Sequence, residues 1–348
     1  MQRIQAFFGS NRTFTLVVVL LVCAAGIVFD QPVLAMWFGF AIAAFSTISN
    51  DSIQTLGTFL ASNRKVAWQW LWVFIGSILV ATFVYSWVVN TGDASHGRLN
   101  QIPQPMDFSF LQMLAPVVLI ILTRFRMPVS TTFLILAAFS SAGTIQGMLT
   151  KTIIGYVLAF VAAMLVWGAI GYVVKKRRTR LERPMGKKEE RRWRVLQWLA
   201  TGFLWSAWLA QDAANALVFL PREVSAVQLV VVLVFMLAIL AFILYRRGGE
   251  IQKVVTEKTD VLYVKSATTI DFVYGAILVY FKMMNDLPMS TTWVFLGLLA
   301  GREIALRLMT HKDKPYAHTL KLVQNDLLRA GFGLGVSLAL ALLINSSL

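Results

Sequence analysis

Two carboxylates stand out in this chain because almost nothing around them is polar. Asp51 and Asp212 lie within long apolar runs, the first flanked by Asn50 and Gln54 and the second by Gln211 and Asn215. A lone carboxylate in hydrocarbon costs several kcal/mol, so each needs a partner or an aqueous cavity. Three kinds of chemistry fit: binding a cation, relaying protons, or capping helices in a packed interior. The neighbouring amide oxygens can complete a Na⁺ shell at Asp51 and Asp212, whereas a carboxylate with no other ligands suits a proton.

A second residue pattern points to the opposite charge. Pro128-Val129-Ser130-Thr131-Thr132 and Pro288-Met289-Ser290-Thr291-Thr292 are near-copies. Proline suits the first turn of a helix and disfavours its interior. Ser and Thr at a helix start can cap it, and hydroxyls, first-turn N–H groups and the dipole together favour an anion. One such element alone reads as an N-cap. Two at equivalent places would make a site for a compact oxyanion, with Ser130, Thr131, Thr132, Ser290, Thr291 and Thr292 as its donors.

The two patterns recur with nearly one spacing. Asp51 precedes Pro128 by 77 residues and Asp212 precedes Pro288 by 76. The elements that carry them read as membrane spans, near 13–29, 33–62, 66–88, 108–123, 129–148 and 152–174, then 196–220, 226–245, 267–283, 288–302 and 327–345. A plain spanning helix needs roughly 20 apolar residues. Segment 288–302 falls short, so it is expected to be half of a broken or re-entrant element. Counted along these spans, 33–62 and 196–220 run in opposite senses. The expected fold is therefore an all-α polytopic membrane protein, with inverted-topology repeats and broken or re-entrant helices. Its parts would be an N-terminal transmembrane segment (1–32), a first repeat (33–174), a basic cytoplasmic loop (175–194) and a second repeat (195–348).

Composition agrees with that class. Of 348 residues 57% are hydrophobic and only 14% charged, which excludes a disordered chain and argues against an ordinary soluble enzyme. The net charge is +15. Segment 175–194 holds eleven Lys/Arg against three Glu, more than half of that excess. The positive-inside rule places it in the cytoplasm, together with Arg64/Lys65, Arg124/Arg126 and Arg246/Arg247. The N-terminus is then cytoplasmic, the C-terminus extracytoplasmic, and loop 91–106, with Arg98 as its one basic residue, outside. Such a chain belongs in a plasma or inner membrane, with the lipid bilayer as its partner. Nucleic acid is not an expected partner, because the basic stretch lacks interleaved aromatics and a binding-fold motif. Cys23 is the single cysteine, which excludes an intramolecular disulfide.

Other residues say less. His96, His311 and His318 show no metal-ligand spacing. Asp271 sits near the entrance of a span, functional or merely interfacial. Asp286, just before the second Pro-x-Ser-Thr-Thr, is placed to orient that loop. No Walker loop, dinucleotide loop or zinc pattern is present. No nucleophile–base set stands out, so the chain is not expected to be an enzyme and needs no cofactor.

At these motifs the sequence resembles the inorganic phosphate transporter (PiT) family. Members carry a Gly-Ala-Asn-Asp-Val-Ala-Asn-Ala signature in both halves and Pro-Val-Ser-Thr-Thr-His elements. Here the signatures remain as Asn50-Asp51, with Gln54 for the later Asn, and as Asp212 and Asn215, with Gln211 for the earlier Asn. The family His is replaced by Phe133 and Trp293. The resemblance covers about 33–345 and implies an inverted-repeat secondary transporter. It implies that Asn50, Asp51, Asp212 and Asn215, with Gln54 and Gln211, serve the coupling ions, and that the Ser-Thr-Thr elements hold the oxyanion. The expected activity is symport of a tetrahedral oxyanion with Na⁺ or H⁺, phosphate narrowly ahead. The alternatives are a proton-coupled sulfate permease, since sulfate offers only acceptor oxygens to an all-hydroxyl site, and an anion channel or non-transporting scaffold. A homodimer stays open.

Overall fold

The computed structural model describes residues 12–125, 127, 129–176, 186–212, 214–246, 264–309 and 316–346. Arg126, Pro128, Ala213, Arg247, His311 and part of the basic segment, 177–185, lie outside the described residues. Every regular element described is helical. These are α1 (Arg12–Val28), α2 (Pro32–Ser62), α3 (Trp68–Val89), α4 (Phe110–Arg124), α5 (Thr131–Ile135), α6 (Ala142–Lys176), α7 (Lys187–Asp212), α8 (Ala214–Leu217), α9 (Ala226–Tyr245), α10 (Val264–Met284), α11 (Thr291–Met309) and α12 (Tyr316–Ser346). A 3₁₀ turn, Leu136–Phe139, extends α5.

Local chemistry sets several boundaries. Pro32 occupies the first turn of α2, where its missing N–H costs nothing. Ser109 with Gln112, and Ser225 with Gln228, form reciprocal capping boxes that start α4 and α9.

Six helices are long and apolar enough to cross a membrane, over Pro32–Ser52, Trp68–Val89, Ala142–Val173, Ala226–Tyr245, Val264–Met284 and Thr319–Asn345. Helices α1 and α4 are apolar but shorter. Large apolar side chains point outward along these helices, among them Val227, Val230, Val231 and Val234 on α9. Such a surface suits lipid and not water, and the chain is an integral membrane protein.

The structure corrects the span reading in one place. Segments 129–148 and 152–174 are not two spans. The first holds α5 and its 3₁₀ turn, which stop at Phe139, and then the start of a single 35-residue helix, α6, which also takes up the second. The break falls where Ser141 accepts a bond from Thr144 N at 3.3 Å and so starts α6. Lys151 falls in the gap between the two expected spans. Its ammonium is instead satisfied inside the bundle, so the helix runs straight through it. Segment 288–302 becomes α11, a 19-residue helix preceded by the non-helical stretch 285–290.

Two helix pairs form the main packing, α6 against α11 and α7 against α10. The first is close because Gly297 and Gly301 face the α6 backbone. A Cβ at Gly297 would overlap the Tyr156 carbonyl oxygen, and one at Gly301 would overlap that of Phe160. This is the small-residue spacing that lets membrane helices approach. Helix α3 packs on α9, and α5 with its 3₁₀ turn packs on α12.

The bundle has two recognisable ends. At one, Gln197 bonds Ser62, and Lys265 pairs with Glu189 at 2.6 Å, joining the end of α2 to the starts of α7 and α10. It is called the basic end below, because α7 starts there with Lys187, Lys188, Arg191, Arg192 and Arg194. At the other, Arg98 meets Asn285, and Asn345 Nδ2 donates to Ser140 O at 3.5 Å.

Candidate functional site

The polar centre is built from α2, the start of α5, the α7–α8 region and the start of α11. Asp51 and Asp212 are both fully buried. Thr131 Oγ1 donates to Asp51 Oδ2 at 2.7 Å, and Asn50 Nδ2 donates to Asp51 Oδ1 at 2.6 Å. The equivalent threonine of the second motif, Thr291, donates to Asp212 Oδ2, and Thr132 Oγ1 donates to Asp212 Oδ1 at 3.3 Å. Each carboxylate is therefore held by the Ser-Thr-Thr element that follows it in sequence, and Asp212 also by the other one.

The two elements also hold each other. Thr132 Oγ1 shares its one proton between Asp212 Oδ1 and Met289 O, the latter at 3.2 Å, and Thr292 Oγ1 donates to Val129 O at 3.3 Å. These contacts are reciprocal: Thr132 and Thr292 occupy the same place in their motifs, and so do Val129 and Met289. Ser130 and Ser290 act as N-caps, accepting from Phe133 N at 3.2 Å and Trp293 N at 3.3 Å. The hydroxyl oxygens of both serines thus start helices, as an isolated copy of the motif would be expected to do.

The amides divide. Asn215 Nδ2 donates to Thr131 Oγ1 at 2.7 Å and to Thr132 Oγ1 at 3.5 Å, which ties the second signature to the first motif. Gln54 Nε2 reaches Thr292 Oγ1 at 3.3 Å, tying the first signature to the second motif. Asn215 Oδ1 and Gln54 Oε1 are buried oxygens with no hydrogen-bond partner. Unsatisfied amide oxygens beside two carboxylates match the donor set of a hard monovalent cation. Gln211 points elsewhere. It accepts from Arg98 and donates to Leu278 O at 2.7 Å, so it pins the α7 end to α10.

Sequence reasoning missed two cations. Arg98 was expected in an exposed loop, yet it is fully buried. The loop delivers it through a tight turn: the Asp93 carboxylate accepts from Ser95 N at 2.6 Å and Gly97 N at 2.8 Å, and Gly97 takes φ +73°. Besides Gln211, the guanidinium donates to Asn285 O at 3.3 Å, and its Nε has no partner. Burial lowers Arg98 to about 10, against the pull of Asp212 and Asp286, so it stays charged at neutral pH. Lys151 on α6 donates to Asn285 Oδ1 at 2.7 Å, Leu287 O at 2.8 Å and Asn285 O at 3.1 Å. Asp286 accepts from Lys282. The loop before the second Ser-Thr-Thr is thus anchored by Lys151, Arg98 and Lys282. A cavity of about 470 Å³ opens beside it, lined by Gly147, Thr150, Lys151, Asn285 and Leu287 among others.

Fold and site together define an all-α integral membrane protein with a buried, doubly acidic polar centre assembled from four separate stretches of one chain. No protein-family model and no curated protein matches the sequence. Among solved structures, a sodium-dependent phosphate transporter superposes with TM-score 0.54 at 16% identity, over 94% of this chain and 100% of that one. The two proteins share a fold.

Proposed function

We propose that the chain is a secondary active transporter that brings a small tetrahedral oxyanion across the membrane together with a coupling cation. One observation carries this reading: two Ser-Thr-Thr helix starts, far apart in sequence, meet reciprocally at the centre, each engaged with a buried aspartate. On this reading the units 33–174 and 195–348 are inverted repeats, with 1–32 preceding them and the basic loop 175–194 on the cytoplasmic side.

The hydrogen bonds suggest how coupling works. Thr131 and Thr291 give their hydroxyl protons to Asp51 and Asp212, so those protons are not available to an anion. A Na⁺ ion or proton at the carboxylates removes the need for these donors. The freed hydroxyls then turn to the oxyanion, joined by Thr132, Thr292 and the first-turn N–H groups of α5 and α11. Asn50, Asn215 and Gln54 lie where they can serve the cation, and Gln211 acts through Arg98. Arg98 supplies positive charge to a centre that otherwise holds two acids.

Phosphate is favoured, narrowly, by the likeness to a phosphate transporter. A second reading, proton-coupled sulfate uptake, draws on Phe133 and Trp293. They leave side-chain hydroxyls as the main donors, a set that suits an anion with acceptor oxygens only. The test is uptake of radiolabelled phosphate and sulfate into proteoliposomes, with Na⁺ and proton gradients imposed separately. Asp51→Asn and Asp212→Asn should abolish gradient-driven uptake. Coupled uptake near normal in both would refute the carboxylate assignment, and anion currents that persist without any coupling gradient would make the protein a channel.

A further inference from the structure

A third carboxylate is buried in the bundle and the mechanism above leaves it unused. Asp271, on α10, is fully buried, and its two oxygens accept from Thr58 Oγ1 at 2.7 Å and Thr201 Oγ1 at 2.6 Å. Those threonines belong to α2 and α7, so Asp271 lies where three helices meet. Among the described residues no Lys, Arg or His pairs with it. It sits seven residues into α10, about 10 Å from the start of that helix, between the centre and the basic end. A carboxylate inside a membrane protein with neutral partners alone marks an ion or proton pathway by default.

The surroundings form a polar file. Towards the centre, one turn along α10, Tyr274 donates to Thr291 O at 3.0 Å, beside Asp212. Towards the basic end, Gln197 bonds Ser62, and Asn63 Nδ2 donates to Gln197 Oε1 at 3.3 Å. The file reaches the surface where Arg194 donates to Ser62 O at 3.4 Å and pairs with Glu190 at 2.7 Å. The charged groups flanking Asp271 are Asp51 and Asp212 on the central side and, on the other, Glu190 with Arg194, Glu189 with Lys265, and Arg302, which pairs with Glu303 at 2.7 Å and donates to Ser266 Oγ at 3.5 Å.

We propose that Asp271 is a proton-binding site that takes up and releases the coupling proton between the centre and the basic end; this rests on the coupled-transport reading. The chemistry of its partners fits a proton. With the carboxylate ionised, both threonine hydroxyls donate to it, as observed. When a proton from hydronium or from a central carboxyl forms an O–H bond on Asp271, that group donates to one threonine oxygen. The threonine then turns its own proton to the carbonyl four residues back on its helix, a standard alternative for helical threonine. Release of the proton to water at the basic end restores the first arrangement, so both charge states are hydrogen-bonded without moving a helix. A metal cation would need a shell of several oxygens, and the side chains here offer two hydroxyls and one carboxylate.

The test uses the full chain in proteoliposomes. Asp271→Asn should keep exchange of labelled oxyanion across membranes without a gradient to within about twofold, and lose accumulation driven by a pH gradient by at least tenfold, the behaviour expected of a lost intramembrane proton site. Accumulation by D271N equal to wild type, or loss of uptake driven by a Na⁺ gradient at clamped pH with proton-driven uptake intact, would overturn the proposal. Infrared spectroscopy supplies a readout that needs no transport. A protonated-carboxyl band that titrates in wild type should vanish in D271N, and Thr201→Val should raise the pH at which it titrates. If wild type moves neither phosphate nor sulfate, the transport reading fails while the band still reports on Asp271; a wild-type protein without that band refutes the site itself.

Discussion

Replacing Thr291 by valine separates a coupling role from a structural one, because the two predict different signs. The Thr291 hydroxyl donates to the buried Asp212 carboxylate. A hydrogen bond to a charged group contributes about 1.5–3 kcal/mol net, which is roughly a factor of 10 to 150 in an equilibrium constant. Valine has almost the same volume and removes only the donor. The ionised carboxylate is then less well solvated, so the cation or proton that neutralises it should bind about 10- to 100-fold more tightly. The oxyanion loses a donor of the same kind and should bind weaker by a similar factor. Half-saturation constants for oxyanion and coupling ion, measured in proteoliposomes for wild type, T291V and T291S, read both effects. T291S keeps the hydroxyl and should restore wild-type values. If both affinities fall in T291V, or neither changes in a protein of normal thermal stability, the hydroxyl does not alternate between carboxylate and anion.

Other perturbations test the positioning residues. Arg98→Gln should weaken oxyanion binding more than tenfold, with Arg98→Lys intermediate because it keeps the charge and loses the fork; equal binding by all three proteins would remove Arg98 from the site. Gly301→Ala places a Cβ on the Phe160 carbonyl oxygen and 2.9 Å from Ala163 Cβ. The overpacking should cost about 1–3 kcal/mol, read as a lower unfolding midpoint in detergent, whereas Gly143→Ala, with open space at the Cβ, should be silent. His96, in the loop between α3 and α4, is lowered by burial and by Lys282 to about 4. It therefore stays neutral in the fold while an unfolded histidine charges near 6.5. Acidification through that window should destabilise wild type, and His96→Gln should remove that part of the loss in unfolding midpoints compared between pH 7 and pH 4.5.

The sequence made the centre legible for a physical reason. In a chain this apolar, a carboxylate such as Asp51 or Asp212 has no cause to be present unless something holds it, and the repeated spacing tied each to a Ser-Thr-Thr element; that Thr131 and Thr291 are themselves the carboxylates' hydrogen-bond donors was not legible, since the motif reads as an anion site. The helical character of the chain was legible from the same contrast. Its failures came from charges satisfied at long range. Lys151 was left in the gap between two expected spans because its partners, the carbonyls of 285 and 287, lie more than 130 residues away. Arg98 looked solvated because a loop pattern does not reveal a turn that folds inward. Asp271 was left between a functional and an interfacial reading because its position near a span entrance was visible but Thr58 and Thr201 were not recognisable as its partners. The break after Phe139 was passed over because 129–148 was read as one apolar run, although 140–147 reads Ser-Ser-Ala-Gly-Thr-Ile-Gln-Gly and carries the Ser141 cap that starts α6.

The same bonds that reveal the centre also bear on how it would avoid moving anions without cations. For an oxyanion to use Thr131 and Thr291, both hydroxyls must leave ionised carboxylates, at about 1.5–3 kcal/mol each. Thr292 must leave the carbonyl of Val129, a neutral acceptor that holds more weakly, near 1 kcal/mol, while Thr132 shares its proton between Met289 O and the Asp212 carboxylate and is held between the two cases. The charged pair therefore sets the barrier to uncoupled binding. Together the two threonines give about 3–6 kcal/mol, or roughly two to four powers of ten of discrimination between the cation-loaded and cation-free protein. Linkage requires the reverse as well: bound oxyanion must raise cation affinity by the same factor. On the proposed mechanism, then, cation and oxyanion load cooperatively. The helix starts are held closed by reciprocal bonds between equivalent residues, so loading one half loosens the contact on which the other half depends.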